Sequence, residues 1–280
     1  VSCPHRRWGR RTFLGLLGVG FAVTACGTAT SGAASTAPLA RPAAGPPPPA
    51  RDLVPPLPLH PPTVERNGVL VLHGGPAASA ATRKLALTVD DGFCADCVAG
   101  YVQFVRRTGV HLTFSPNGRY ARMWSPHAGT LRPLIEAGQI QLMNHTFNHP
   151  SLPGLPPGRV RAELERNEEW INRTFGTTTR PYYRPPFGRH SSEVDGVAAG
   201  LGFDRVVLWN GSYSDSKLIK PWFLMAQARK YLAPGAIVLG HANHPTVLGL
   251  FDQILDLIKQ RALTPVTLDE LFGTTRPHRL

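Results

Sequence analysis

The sequence predicts an α/β domain, and two observations carry that expectation. Short apolar runs alternate with segments whose apolar residues recur at helical spacing. Polar residues able to do chemistry gather at the ends of the apolar runs, where α/β barrels and open α/β sheets both place their sites. Neither G-x-G-x-x-G nor G-x-x-x-x-G-K-S/T follows a strand-like run, so nucleotide binding has no support.

Residues 1–25 read as an export signal. Arginines come first, then an apolar stretch from Phe13 to Val23 too short for a comfortable membrane span, then small residues. Arg10-Arg11-Thr12-Phe13-Leu14 resembles a twin-arginine signal, and Val23-Thr24-Ala25-Cys26 resembles a lipobox with Cys26 as the lipidated residue. An ordinary processing site is the alternative for Cys26. The expectation is an exported protein, lipid-anchored to the cell membrane and facing the wall or periplasm. Residues 26–68 read as a Pro/Ala-rich tether: 11 of the 28 prolines fall between Pro38 and Pro62, which favours extended chain over helix or ladder.

The working domain is expected over 69–273, with a loose tail at 274–280. Gly68 to Leu72 reads as a first, peripheral strand. Leu85 to Gly92, L-A-L-T-V-D-D-G, reads as a buried strand ending in two carboxylates and a glycine. Val98, Tyr101, Val102 and Val105 place a helix over 97–107, and a strand follows over 110–114, ended by Pro116-Asn117-Gly118. A short helix is expected over 128–137 and a strand over 139–143. The clearest helix is 158–173, with Val160, Leu164 and Ile171 on one face and Glu163, Glu165, Glu168 and Glu169 mostly outward. Residues 181–188 are too proline-rich for a central strand. Helices over 192–200, 221–232 and 248–258 alternate with strands over 203–209, 236–239 and 263–268.

Charge and cysteine content narrow the function classes. Removing residues 1–25, which carry Arg6, Arg7, Arg10 and Arg11, takes the formal net charge from +12 to +8. A basic exported protein favours an anionic surface or polymer. The basic residues are scattered and no nucleic-acid motif stands out, which argues against nucleic acid. Cys94 and Cys97 form one C-x-x-C pair, read as a local disulfide in an oxidising envelope, with free thiols next. A second pair for a four-cysteine zinc site is missing, and a redox role lacks the expected βαβ setting.

The chemistry-bearing residues sit in four patches. Asp90 and Asp91 end the central strand, and neighbouring residues on an extended chain point opposite ways, so the two acids can serve different roles. His145 and His149 stand four apart in H-T-F-N-H and can grip one metal from a helix turn or an open loop. Two imidazoles and a carboxylate suit zinc or another borderline divalent ion. Arg184 and His241 occupy the other two patches.

Together these patches resemble the NodB-type polysaccharide deacetylases, carbohydrate esterase family 4. The matching motifs are Thr88-Val89-Asp90-Asp91-Gly92, His145-Thr146-Phe147-Asn148-His149, Arg184-Pro185-Pro186-Phe187-Gly188, a weaker stretch from Trp209 to Asp215, and Leu239-Gly240-His241. Five motifs in order, over residues 83–272, make the resemblance specific. It implies a distorted (β/α) barrel, with Asp91, His145 and His149 as metal ligands, Asp90 as general base, His241 as general acid and Arg184 orienting the base. It implies a divalent metal, zinc first, with cobalt or nickel as alternatives, and an acetylated glycan substrate, with peptidoglycan the first choice for a tethered monomer. Phe187, Trp209 and Tyr183 are expected to touch substrate, although each could be plain core. Asp215 is the one carboxylate left in the fourth motif, expected to support the site by pairing with Arg184. Val89 stands where the family usually has an aromatic. Asn243 and His244 follow the catalytic-type histidine, with His244 read as a loop residue. The rivals are an O-acetyl esterase and a catalytically silent carbohydrate-binding protein on the same fold.

Overall fold

The computed structural model describes residues 63–274. The export signal, Cys26, the tether up to residue 62 and the tail from 275 lie outside the described residues. Along the chain come β1 (Thr63–Arg66), β2 (Val69–Leu72), α1 (Ala77–Ala81), β3 (Lys84–Asp91), α2 (Ala95–Thr108), β4 (Leu112–Pro116), α3 (Ala121–Trp124), α4 (Ala128–Glu136) and β5 (Ile140–Leu142). Then follow α5 (Pro157–Phe175), β6 (Tyr182–Tyr183), α6 (Ser192–Ala199), β7 (Arg205–Val207), β8 (Gly211–Ser212), α7 (Pro221–Tyr231), β9 (Ile237–His241), α8 (Phe251–Gln260), β10 (Thr264–Val266) and α9 (Leu268–Phe272). Among the described residues no helix is long and apolar enough to cross a membrane.

The strands build a distorted (β/α) barrel from two sheets. One runs β5-β4-β3-β9-β8 with parallel neighbours, and β10 pairs the first residues of β3. The other runs β1-β2-β7-β6, antiparallel only between β1 and β2. A parallel bridge from Asn144, just past β5, to Tyr183 links the two sheets.

The period of two along β3 explains how this barrel is filled. Leu85, Leu87 and Val89 join the apolar core shared with Val98, Val102 and Val105 of α2. Ala86, Thr88 and Asp90 alternate with them, and Ala86 packs instead with Leu72, Val207 and Ile237. The second set carries the polar chemistry inward. Cys94 caps the start of α2: its sulfur accepts from the Cys97 N–H and is also bonded to the Cys97 sulfur.

Three local expectations need correction. Residues 63–66 belong to strand β1 rather than to the tether, and β2 is not peripheral: it lies between β1 and β7 with Val69, Val71 and Leu72 buried. Tyr182 and Tyr183 pair only as a two-residue strand at the end of their sheet, in keeping with a proline-rich segment that is no central strand. Glu163 and Glu168 of α5 are buried, not outward. Each has a loop to satisfy: Glu163 accepts from Asn148 N and Nδ2 (2.7 and 2.8 Å), and Glu168 from Thr179 N (3.0 Å) and Arg180 Nη1 (2.7 Å). Helical periodicity could not show these demands, since they come from chain outside the helix.

Candidate metal centre and hydrolytic site

Asp90 and His241 are brought together by strand register. They are paired positions on adjacent parallel strands, β3 and β9, so both side chains leave the same face. Asp91 should then face the opposite way. It does not, because its backbone is left-handed (φ 67°), a conformation uncommon for a residue with a side chain. The turn swings the Asp91 carboxylate toward the two histidines. Gly92 makes it possible: at φ 110° an added Cβ would collide with the Trp124 indole, whose N–H donates to the Asp91 carbonyl at 2.8 Å.

His145 to His149 is an open loop, not a helical turn, with Thr146 and His149 left-handed (φ 65° and 59°). A buried amide network holds this shape. Asn117 Nδ2 donates to the carbonyls of His145 and Thr146 (2.6 and 2.9 Å), and Asn144 Oδ1 accepts from Thr146 N (2.9 Å). Asn167 Nδ2 donates to Pro116 O (3.1 Å), and its Oδ1 accepts from Gly118 N (2.8 Å). Glu163 secures Asn148 from α5. The His145 Nδ1–H donates to the Arg184 carbonyl at 2.8 Å, which fixes Nε2 as the nitrogen facing the acids.

The ligand set converges on one oxygen. Nε2 of His145 and of His149 each lie 3.5 Å from Asp91 Oδ1. One ligand atom from each of Asp91, His145 and His149 lies within 4.8 Å of the others. Asp91 Oδ1 is buried with no hydrogen bond of ordinary length. A shared, unsatisfied carboxylate oxygen between two imidazole nitrogens fits a divalent cation of the zinc class, so this His/His/Asp cluster can bind one.

Asp90 is prepared differently. Its Oδ1 accepts from Ser115 Oγ and from Arg184 Nη1, the latter at 2.8 Å, while Oδ2 lies 3.6 Å from His145 Nε2. Arg184 is fully buried and also donates to Thr88 Oγ1 (2.9 Å) and to the carbonyls of Val207 and Leu208 (3.1 and 3.2 Å). Burial favours the neutral acid, but the charges of Arg184, His145 and His241 outweigh it and hold Asp90 below the usual carboxylate range. Asp91 is lowered too: burial opposes ionisation, and His145 and His149 overcome it. His149 is pushed down to about 4, first by burial and then by the charge of His145, so it stands neutral as a ligand must. In His145 burial again favours the neutral ring, but Asp90 and Asp91 raise its pKa, and a cation beside Asp91 would replace that proton.

Asp215 does not pair with Arg184. It accepts from His241 twice, from Nδ1–H at 2.8 Å and from the backbone N–H at 3.1 Å. That bond fixes the tautomer and leaves Nε2 as the group able to pass a proton. Burial favours neutral His241, but Asp215, then Asp90 and Asp91, raise its pKa above the ordinary value. If protonated His241 is the acid, Asp215→Asn moves the alkaline limb of the pH–rate profile to lower pH. The folded pKa drops when the carboxylate goes, so the proton is lost sooner. An unmoved limb would remove Asp215 from this role.

The aromatic residues separate clearly. Phe187, left-handed (φ 60°) and 65% exposed, sets its ring edge-on to His149 at 4.6 Å. Trp209 is half-buried beneath the Arg184 guanidinium, 5.7 Å from its ring centre. Tyr183 cannot contact a substrate: it is fully buried in a core with Val160 and Val206, and its hydroxyl donates to Asp195. Sequence reasoning missed Ser115, Trp124, Asn243 and the asparagine network, and named Thr88 only as part of a motif. Asn117 was visible only as part of a turn, and Asn243 only as a neighbour of His241.

Known proteins resemble this chain in sequence and in fold. The family described as polysaccharide deacetylase matches residues 77–206. Peptidoglycan-N-acetylglucosamine deacetylase PgdA of Listeria monocytogenes is 27% identical over 194 residues, which is 68% of this chain but 39% of that protein. The structure of Bacillus subtilis PdaA, a family 4 carbohydrate esterase, is 25% identical, covering 72% of this chain and 84% of that one with a TM-score of 0.61. A family 4 pseudoenzyme from Bacillus anthracis, 20% identical, covers 72% of this chain and 68% of that one at a TM-score of 0.62 and shows the fold alone.

Proposed function

We propose that this chain, a member of the polysaccharide deacetylase family, is a metal-dependent hydrolase that removes N-acetyl groups from a cell-envelope glycan. The observation that carries it is the buried, unsatisfied Asp91 Oδ1 between His145 and His149, beside a separately held carboxylate and a carboxylate-bound histidine. The presence of the pseudoenzyme on the same fold makes this arrangement, rather than the fold, the support for activity.

Asp91, His145 and His149 would hold the cation. A zinc-class ion there supplies Lewis acidity toward an acyl oxygen and acidifies water. Asp90, ionised and fixed through Oδ1 by Arg184 and Ser115, presents Oδ2 to take the proton of the attacking water. His241, oriented by Asp215, passes its proton to the leaving sugar nitrogen. Phe187 flanks His149 from the solvent side, where an apolar sugar face can pack.

Zinc is the proposed metal and peptidoglycan the proposed substrate. The relatives named for peptidoglycan deacetylation support the substrate, and so does the basic composition beyond residue 25. Export and lipid anchoring through Cys26 rest on the Arg10-Arg11 and Val23–Cys26 motifs.

The test measures acetate released from N-acetylated peptidoglycan and chitin oligomers, with O-acetylated xylan as comparison. Release that a chelator abolishes and zinc or cobalt restores is expected, faster from N-acetyl than from O-acetyl substrate. No acetate from any of them after metal is restored sinks the hydrolase, and preference for the O-acetyl substrate makes it an esterase.

A further inference from the structure

Asp91 has two carboxylate oxygens, and only one faces the histidines. The other, Oδ2, accepts from the Asn243 side-chain amide at 2.7 Å. The same asparagine turns its Oδ1 to two backbone donors, Gly92 N at 3.1 Å and Phe93 N at 3.4 Å. Asn243 is 6% exposed and comes from the far side of the sequence, just beyond β9. It therefore spans the left-handed turn at Asp91, holding both the side chain and the two peptide units that follow. Trp124 holds the Asp91 carbonyl independently.

We propose that Asn243 is a positioning residue for metal binding: by donating to Asp91 Oδ2 it keeps Oδ1 turned to His145 and His149. The inference rests on the metal-dependent reading above. A carboxylate free to rotate could offer either oxygen, or chelate with both, and would lose the one-oxygen geometry that the two histidines meet. An amide donor on Oδ2 occupies one lone-pair direction without adding charge, so the carboxylate keeps its negative charge for the cation. The plainer possibility is that Asn243 only caps the turn through Gly92 and Phe93. The two roles use different ends of the amide, and they predict different results at the metal.

The experiment measures cobalt(II) affinity of the whole protein by chelator competition, together with the cobalt d–d absorption at saturation and the melting temperature of the metal-free form. Asn243→Ala removes both ends of the amide. Binding about 10–100-fold weaker than wild type and an altered d–d band are the expected results, beside a metal-free melting temperature lowered by the loss of the bonds to Gly92 and Phe93. Asn243→Ser carries the same test if the alanine variant does not fold: its hydroxyl is one bond shorter and can still accept from Gly92. Wild-type affinity overturns the proposal. So does weaker binding with an unaltered band, which would place the loss in the turn rather than at the ligand. The two readings fail separately. A wild-type protein that binds no cobalt overturns the metal-dependent function and this role with it. A wild type that binds cobalt and releases acetate, beside variants that bind as tightly, overturns only the role of Asn243.

Discussion

Asp90→Asn lowers acetate release by about 10²–10⁴-fold, the span of a lost general base, while the protein still binds zinc or cobalt. Asp90 is not in the converging ligand set; its Oδ1 is taken by Ser115 and Arg184, and only Oδ2 is left toward the site. An asparagine keeps the shape and the acceptor for Arg184 but cannot accept a proton from water. The change also removes the charge partner of a fully buried guanidinium, and breaking a buried pair typically costs about 3–5 kcal/mol. Arg184 retains Thr88 and two carbonyls, so part of that cost is absorbed. The assay therefore compares rate and metal content under conditions where circular dichroism shows the variant folded. A folded, metal-loaded variant with near wild-type rate would falsify the base assignment.

His145→Ala removes metal and turnover together. The ring supplies one of the two imidazoles that meet Asp91 Oδ1, and its other nitrogen is tied to the Arg184 carbonyl. Loss of a partner to a ligand typically costs 10–100-fold in affinity, so loss of the ligand itself should exceed about 100-fold. Metal content after dialysis, read beside acetate release, checks this. Retained metal with lost activity would move His145 out of the ligand set and into the proton chemistry with Asp90, whose Oδ2 lies 3.6 Å from it.

Much of the domain could be read in advance because its elements are locally encoded. Helix α2 follows from Val98, Tyr101, Val102 and Val105; its end at Gly109, left-handed at φ 69°, was not anticipated. The strand β3 follows from its apolar run, and the residues of the candidate metal cluster from their chemistry and order along the chain. Where local reading failed, the deciding partner was remote. Glu163 looked like a solvated helix residue until the histidine loop, 15 residues away, offered it two N–H donors. Tyr183 looked like a sugar platform until Asp195 and the α5 core closed over it. Asp215 looked like a partner for Arg184, but β9 set His241 beside it first.

By itself the sequence determined the alternation of strands and helices, and the identity of the groups able to bind a cation or move a proton. Residue type and spacing are properties of the chain, and they survive any arrangement of it. Which atom of each group is free was decided only by the tertiary structure. Asp90 and Asp91 are neighbours of the same type. One is fixed through Oδ1 by Ser115, 25 residues away, and by Arg184, 94 residues away. The other is held at Oδ2 by Asn243, 152 residues away, with a left-handed backbone that reverses its direction. Hydrogen bonds at that range exist only once the barrel has closed, and they leave a different oxygen free on each of two similar carboxylates, which is what the proposed base and ligand roles rest on.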